Sequence, residues 1–212
     1  MAVPGVRSAG QARPRVLPAR PGQAAMIIAA FTGVLYLTEA ANILLGGALE
    51  VDGGIRPRHL DGLDGILWAP LLHHSLQHLA ANTVPVLVLG FLALAGGVGQ
   101  FVMVTATIWL VGGVGTWLTG NPGVHIGASI LIFGWLVFLL TRGFFARSPA
   151  HIALAVALFV VWGGVLWGVL PGAAGVSWQG HLFGALGGLI GAQLVAHADR
   201  PGTAGRTRVN SS

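Results

Sequence analysis

Six long apolar runs joined by short connections constrain this chain more than any other feature, because a helix that crosses a bilayer needs roughly 20 mainly apolar residues. They fall at about 24–45, 70–95, 98–118, 126–143, 150–170 and 177–197, each bounded by Gly, Pro, Asn or Arg. Only 8% of the 212 residues are charged and 54% are hydrophobic, whereas a water-soluble domain uses about 25% charged residues to cover its surface. Most of the surface must therefore face lipid. The expected fold is an all-α, polytopic bundle of six transmembrane helices over residues 24–198. Residues 1–23, rich in Pro, Arg, Gly and Ala and lacking apolar periodicity, are expected to form a disordered leader, and 199–212 a disordered tail.

The formal charge of +5 comes from eleven arginines with no lysine. Their placement argues against nucleic acid and for an orientation in a membrane. Arg7, Arg13, Arg15 and Arg20 precede the first run, Arg142 and Arg147 flank the connection between the fourth and fifth, and Arg200, Arg206 and Arg208 follow the last. With six spans these three places share one side, which the positive-inside tendency identifies as the cytoplasm. Both termini are thus expected in the cytoplasm, in a multi-pass protein of the cell (plasma) membrane. A secretory signal peptide is the competing reading of the N-terminus, but the run from Ala24 to about Leu45 is longer than a signal core and contains Glu39 and Asn42. Cysteine is absent, which excludes disulfides, thiolate metal sites and a cysteine nucleophile. Any chemistry must use oxygen and imidazole.

The connection from Gly46 to about Ala69 mixes charges with Ile55, Leu60, Leu63, Ile66, Leu67 and Trp68. Two readings stay open: an amphipathic loop lying in the outer interface with Trp68 at headgroup depth, or a plain extracellular loop. In the last run Gly180, Gly184 and Gly188 recur every four residues. Such a stripe lets a neighbouring backbone come close, which is how helices associate within lipid.

Polar side chains at membrane depth are expensive and tend to face a cavity or one another. The second run opens with His73, His74, His78 and Asn82; a helix there presents His74, His78 and Asn82 as one stripe and turns His73 elsewhere. In the fourth, Pro122 and Gly123 precede the apolar run and leave Ser129 in the first turns of a helix, where backbone N–H groups lack partners and favour developing negative charge. The sixth carries His181 near its start. Serine is a poor nucleophile at neutral pH unless a base lies within hydrogen-bond reach. No Asp or Glu is expected at this depth, so the residues point to a Ser–His pair without a third member.

At these residues the chain resembles the rhomboid family of intramembrane serine proteases, over all six runs. The family's histidine, four residues, histidine, three residues, asparagine pattern is matched by His73, His78 and Asn82. Its Gly-x-Ser-Gly motif is matched by Gly127 and Ser129, and its His-x-x-Gly-x-x-x-Gly pattern by His181, Gly184 and Gly188. Three motifs in order, each at the mouth of the appropriate span, form a specific set. The resemblance implies that Ser129 attacks the scissile carbonyl while His181 takes its proton. It also implies that the Ser129 N–H with the His78 and Asn82 side chains holds the oxyanion, and that His73 sits at the loop edge and helps order the cavity and its water. The implied substrates are single-span membrane proteins, cut in or near a readily unwound segment with small residues at the cut. The chain departs from the family at Ile130, where the motif has glycine and where a branched side chain is expected to crowd the contact with the sixth helix. The family's Trp-Arg pair in the first loop also has no obvious counterpart; the nearest basic group is Arg56-Pro57-Arg58.

Two other functional classes compete with an active protease: a catalytically inactive rhomboid-like protein that binds membrane clients, and a channel or transporter that uses the polar stripes as a pathway. A metal site in the histidine cluster is disfavoured because no carboxylate or thiol accompanies it and asparagine ends the stripe; no cofactor is expected. His125 and His151 read as interfacial residues, and the tryptophans at 109, 117, 135, 162, 167 and 178 mostly as lipid or interface anchors.

Overall fold

A computed structural model describes residues 15–172 and 175–199 of the chain. It contains eight α-helices among the described residues: α1 (Pro21–Leu44), α2 (Ala48–Gly53), α3 (Gly65–Trp68), α4 (Leu76–Ala93), α5 (Val98–Thr119), α6 (Ser129–Phe145), α7 (Pro149–Trp162) and α8 (Trp178–Ala198). Six are long, in the order expected, and the protein is an all-α polytopic membrane bundle. Most of the expected leader and nearly all of the expected tail lie outside the described residues.

Two boundaries move for identifiable reasons. The second long helix starts at Leu76, not near residue 70, because Pro70 sits in a separate 3₁₀ turn and Ser75 caps the helix, its Oγ accepting from the His78 N–H at 3.1 Å. The fifth ends at Trp162 and continues as a 3₁₀ turn over Gly163–Val169.

Among the described residues five helical stretches are long and apolar enough to cross a membrane; α6, with 17 residues, is the shorter apolar one. At 1.5 Å per residue it spans about 26 Å, less than the roughly 30 Å of a hydrocarbon core. It is also the central element, packed against α4, α5, α7 and α8 and buried on nearly all sides. Trp135 belongs to this core: it is fully buried, and its indole N–H donates to Thr105 Oγ1 at 3.0 Å. The lipid-anchor reading therefore fails for Trp135.

Close approach of α8 to α6 rests on missing side chains. A Cβ on Gly184 would run into the carbonyl of Ile130, and one on Gly188 into that of Gly134. Ile130 is buried at this contact: its Cγ2 occupies space that a Cβ on Gly112 of α5 would fill, and its Cγ1 and Cδ1 lie against Gly180 of α8, 3.2 and 3.4 Å from where a Cβ there would stand. The branched side chain does meet the sixth helix, and glycines on both α5 and α8 make room for it.

The 46–75 segment is anchored without a Trp-Arg pair of its own. Ile55 and His125 exchange both backbone hydrogen bonds at 3.0 Å in an isolated antiparallel bridge. The Trp117 and Trp109 indoles donate to the carbonyls of His59 and Ile66 at 2.9 and 2.8 Å, and Arg58 donates to the Gly120 carbonyl at 2.9 Å. Ile55, Ala69 and Leu72 pack with Ile126 as a small core, while Leu67 and Trp68 stay exposed.

Candidate active site

The chain dictates an abrupt helix start at Ser129. Gly127 has φ +123°, a conformation that L side chains rarely adopt, and its N–H donates to the Ala69 carbonyl at 2.9 Å. A Cβ there would lie 2.9 Å from His78 Cε1 and 3.6 Å from Ser129 Oγ. Glycine is thus what lets the start of α6 and the first turn of α4 meet. As first residues of the helix, Ser129 and Ile130 have no backbone acceptor for their N–H groups among the described residues.

Ser129 Oγ lies 3.0 Å from His181 Nε2, and His181 Nδ1 lies 2.9 Å from the Gly168 carbonyl. A carbonyl can only accept, so Nδ1 carries the proton and Nε2 keeps its lone pair toward the serine hydroxyl, which donates to it. The imidazole also stacks flat on Phe133, with ring centroids 4.0 Å apart and planes 8° from parallel. Gly168 and Phe133 escaped the sequence reading. Phe133 lies four residues after Ser129 and so on the same helical face, a spacing that offered a signal; a backbone carbonyl offers none.

His78 lines the cavity over Ser129, and Asn82 follows one turn down α4, buried, with its Nδ2 lacking a partner among the described residues. His73 lies before α4 and does not line the cavity. It is fully buried behind His78, edge-on to its ring at 5.0 Å, and its Nε2 accepts from the Ala128 N–H at a long 3.4 Å. Burial, reinforced by His78 and His74, pushes the His73 imidazole down to about 3. It is therefore a neutral support for the turn that carries Ser129, not a group at the cavity's edge.

His125 is a strut instead of an interfacial anchor. Its Nε2–H donates to the Asn121 carbonyl at 2.9 Å and its Nδ1 accepts from Ser177 Oγ at 2.6 Å; Ser177 in turn caps α8 by accepting from the Gly180 N–H at 3.3 Å. The loop before Ser129 and the helix carrying His181 are thereby tied together directly.

The cavity encloses about 750 Å³ and is open to the exterior. A hydroxyl, a base of fixed tautomer, the free Ser129 N–H and the His78 imidazole converge on it, which suffices for acyl transfer. Among the described residues no group of three or more His, Asp or Glu is placed to hold a metal ion.

A family model described as the Rhomboid domain matches residues 63–198, well over half of the chain. An uncharacterized protein of Mycobacterium tuberculosis (strain ATCC 25618 / H37Rv) is 48% identical over 186 residues, covering 84% of this chain and 77% of the relative. An uncharacterized protein of Mycobacterium leprae (strain TN) is 47% identical over 182 residues, covering 82% and 72%.

Proposed function

We propose, from the premise that this chain belongs to the rhomboid family, that it is an intramembrane serine endopeptidase working through a Ser129–His181 dyad. The observation that carries the reading is the pair of contacts made by one imidazole, 3.0 Å to Ser129 Oγ and 2.9 Å to the Gly168 carbonyl. Together they leave Nε2 unprotonated and aimed at the nucleophile.

In the first half-reaction Ser129 Oγ forms a bond to the scissile carbonyl carbon as its proton passes to His181 Nε2. The negative charge that develops on the substrate oxygen is received by the Ser129 N–H and the side chains of His78 and Asn82. Collapse breaks the C–N bond, and the imidazolium returns its proton to the departing amine. In the second half, water gives a proton to His181 and attacks the acyl-enzyme, releasing the acid and restoring the serine. The Gly168 carbonyl does the orienting that a carboxylate does in a three-member triad, and Phe133 holds the plane of the ring.

Substrates are single-span membrane proteins with small residues at the cut. The protein sits in the cell membrane with both termini cytoplasmic and the cavity on the outer side. That orientation is supported by Arg142 and Arg147 lying at the opposite end of α6 from Ser129, where the Arg15 carbonyl accepts from His151 Nε2–H at 3.0 Å. The test is reconstitution in proteoliposomes with a single-span reporter carrying small residues. Wild type is expected to cleave it while Ser129→Ala and His181→Ala do not; cleavage that survives Ser129→Ala overturns the reading.

A further inference from the structure

The inward stripe of α1 runs Ala24, Ile28, Thr32, Leu35, Glu39, Asn42, and all but its last two members are apolar or bonded within the helix. Glu39 lies five residues before the end of α1, about 7 Å below it. It is 2% exposed, and its Oε2 has no partner among the described residues. One turn on, Asn42 Oδ1 accepts from the Glu50 N–H at 3.2 Å, which holds α2 alongside; Glu50 Oε2 in turn lies 3.6 Å from His74 Nδ1. These side chains line a second, shallower and more open cavity of about 520 Å³. His74 lines this space and also the cavity over Ser129, so the two adjoin across its ring.

A carboxylate at this depth is costly unless a cation or several donors meet it. No arginine lines the second cavity. Arg56 is engaged by Asp61 at 3.0 Å, and Arg58 by backbone carbonyls. His74, the one imidazole on this wall, stands 3.6 Å from Glu50, while Glu39 Oε2 has no hydrogen-bond partner among the described residues. A metal ion is a poor occupant, since no suitable group of three ligands exists among the described residues. A long side chain ending in an ammonium or guanidinium suits the site better. Its stem can lie along apolar walls while its head reaches two carboxylates.

We propose that this cavity is a substrate subsite that receives a lysine or arginine side chain of the polypeptide held over Ser129. The proposal rests on the peptidase reading only for the position of the cut. The rings of His74 and His78 are 6.0 Å apart and Glu50 is 3.6 Å beyond His74. An extended chain advances about 3.3 Å per residue, so the basic residue falls about three to five residues from the scissile bond.

Binding to the full-length Ser129→Ala protein in nanodiscs tests this without cleavage. The probe is a fluorescent single-span peptide with small residues at the cut and either lysine or glutamine placed in turn at each of the six positions on both sides. Lysine is expected to tighten Kd about tenfold over glutamine at one register three to five residues from the cut. The advantage is expected to shrink in Glu50→Gln and vanish in the Glu39→Gln/Glu50→Gln double variant. Glu50 is partly exposed, so Glu50→Gln guards against loss of fold at buried Glu39, and melting temperatures are read for each variant. No register that favours lysine, or an advantage undiminished in Glu50→Gln and in the double variant, overturns the proposal. Lysine-dependent binding in a protein that never cleaves a reporter supports the subsite while overturning the peptidase reading.

Discussion

His181 is held at its two nitrogens and on one ring face, and each contact has a separate consequence. The Gly168 carbonyl cannot give up a proton, so it fixes the tautomer without taking part in proton transfer. His181→Ala is expected to abolish reporter cleavage, whereas Asn82→Ala, which removes one proposed oxyanion donor, is expected to lower kcat by about 10²–10³ with little change in KM. His73 belongs to a different category, a buried neutral group. Its imidazole titrates near 6.5 when unfolded and about 3 when folded, so between those values the unfolded chain binds more protons. Its contribution to stability is therefore present above about pH 6.5 and is lost as pH falls toward 3. Melting temperatures in detergent across that window are expected to fall less steeply for His73→Gln than for wild type. The place of His73 was not legible from residue spacing, because the helix starts at Leu76 under control of the Ser75 cap and His73 precedes the helical register.

At the scale of elements, the pairing of α6 with α8 sets the distance between Ser129 and His181. The glycine stripe of α8 was legible as a packing surface, since small residues every four positions have one plain use between helices in lipid. Its fit with Ile130 was not, because Ile130 sits between Gly180 of α8 and Gly112 of α5, an arrangement that only the three-dimensional crossing creates. Ile130→Gly is consequently expected to empty a filled site. The cost is on the order of 2–5 kcal/mol, seen as a lower melting temperature in detergent, and cleavage is not expected to speed up. Phe133→Ala leaves the dyad residues in place but frees the imidazole plane. A drop in kcat of about 10–100-fold with unchanged KM is expected, since small misplacement of a catalytic group is costly.

Over the whole molecule, the six-span plan and the order of the three motifs were legible because lipid leaves few solutions for a chain this poor in charge. The tethers were less so. The Ile55–His125 backbone pair and the tryptophan and arginine bonds to loop carbonyls depend on chain reversals that carry no local pattern. The natural absence of cysteine makes the orientation easy to read. An impermeant maleimide on intact cells is expected to label Asp61→Cys at the cavity end, and Ala150→Cys only after permeabilisation; the reverse pattern contradicts the orientation. The central claim is that Ser129 is activated by His181, and a fluorophosphonate reports on it most directly. Intact-mass analysis of purified protein in detergent is expected to show one adduct, mapping to Ser129 and absent from Ser129→Ala and His181→Ala. An unlabelled wild type, or an adduct that persists in Ser129→Ala, contradicts the account.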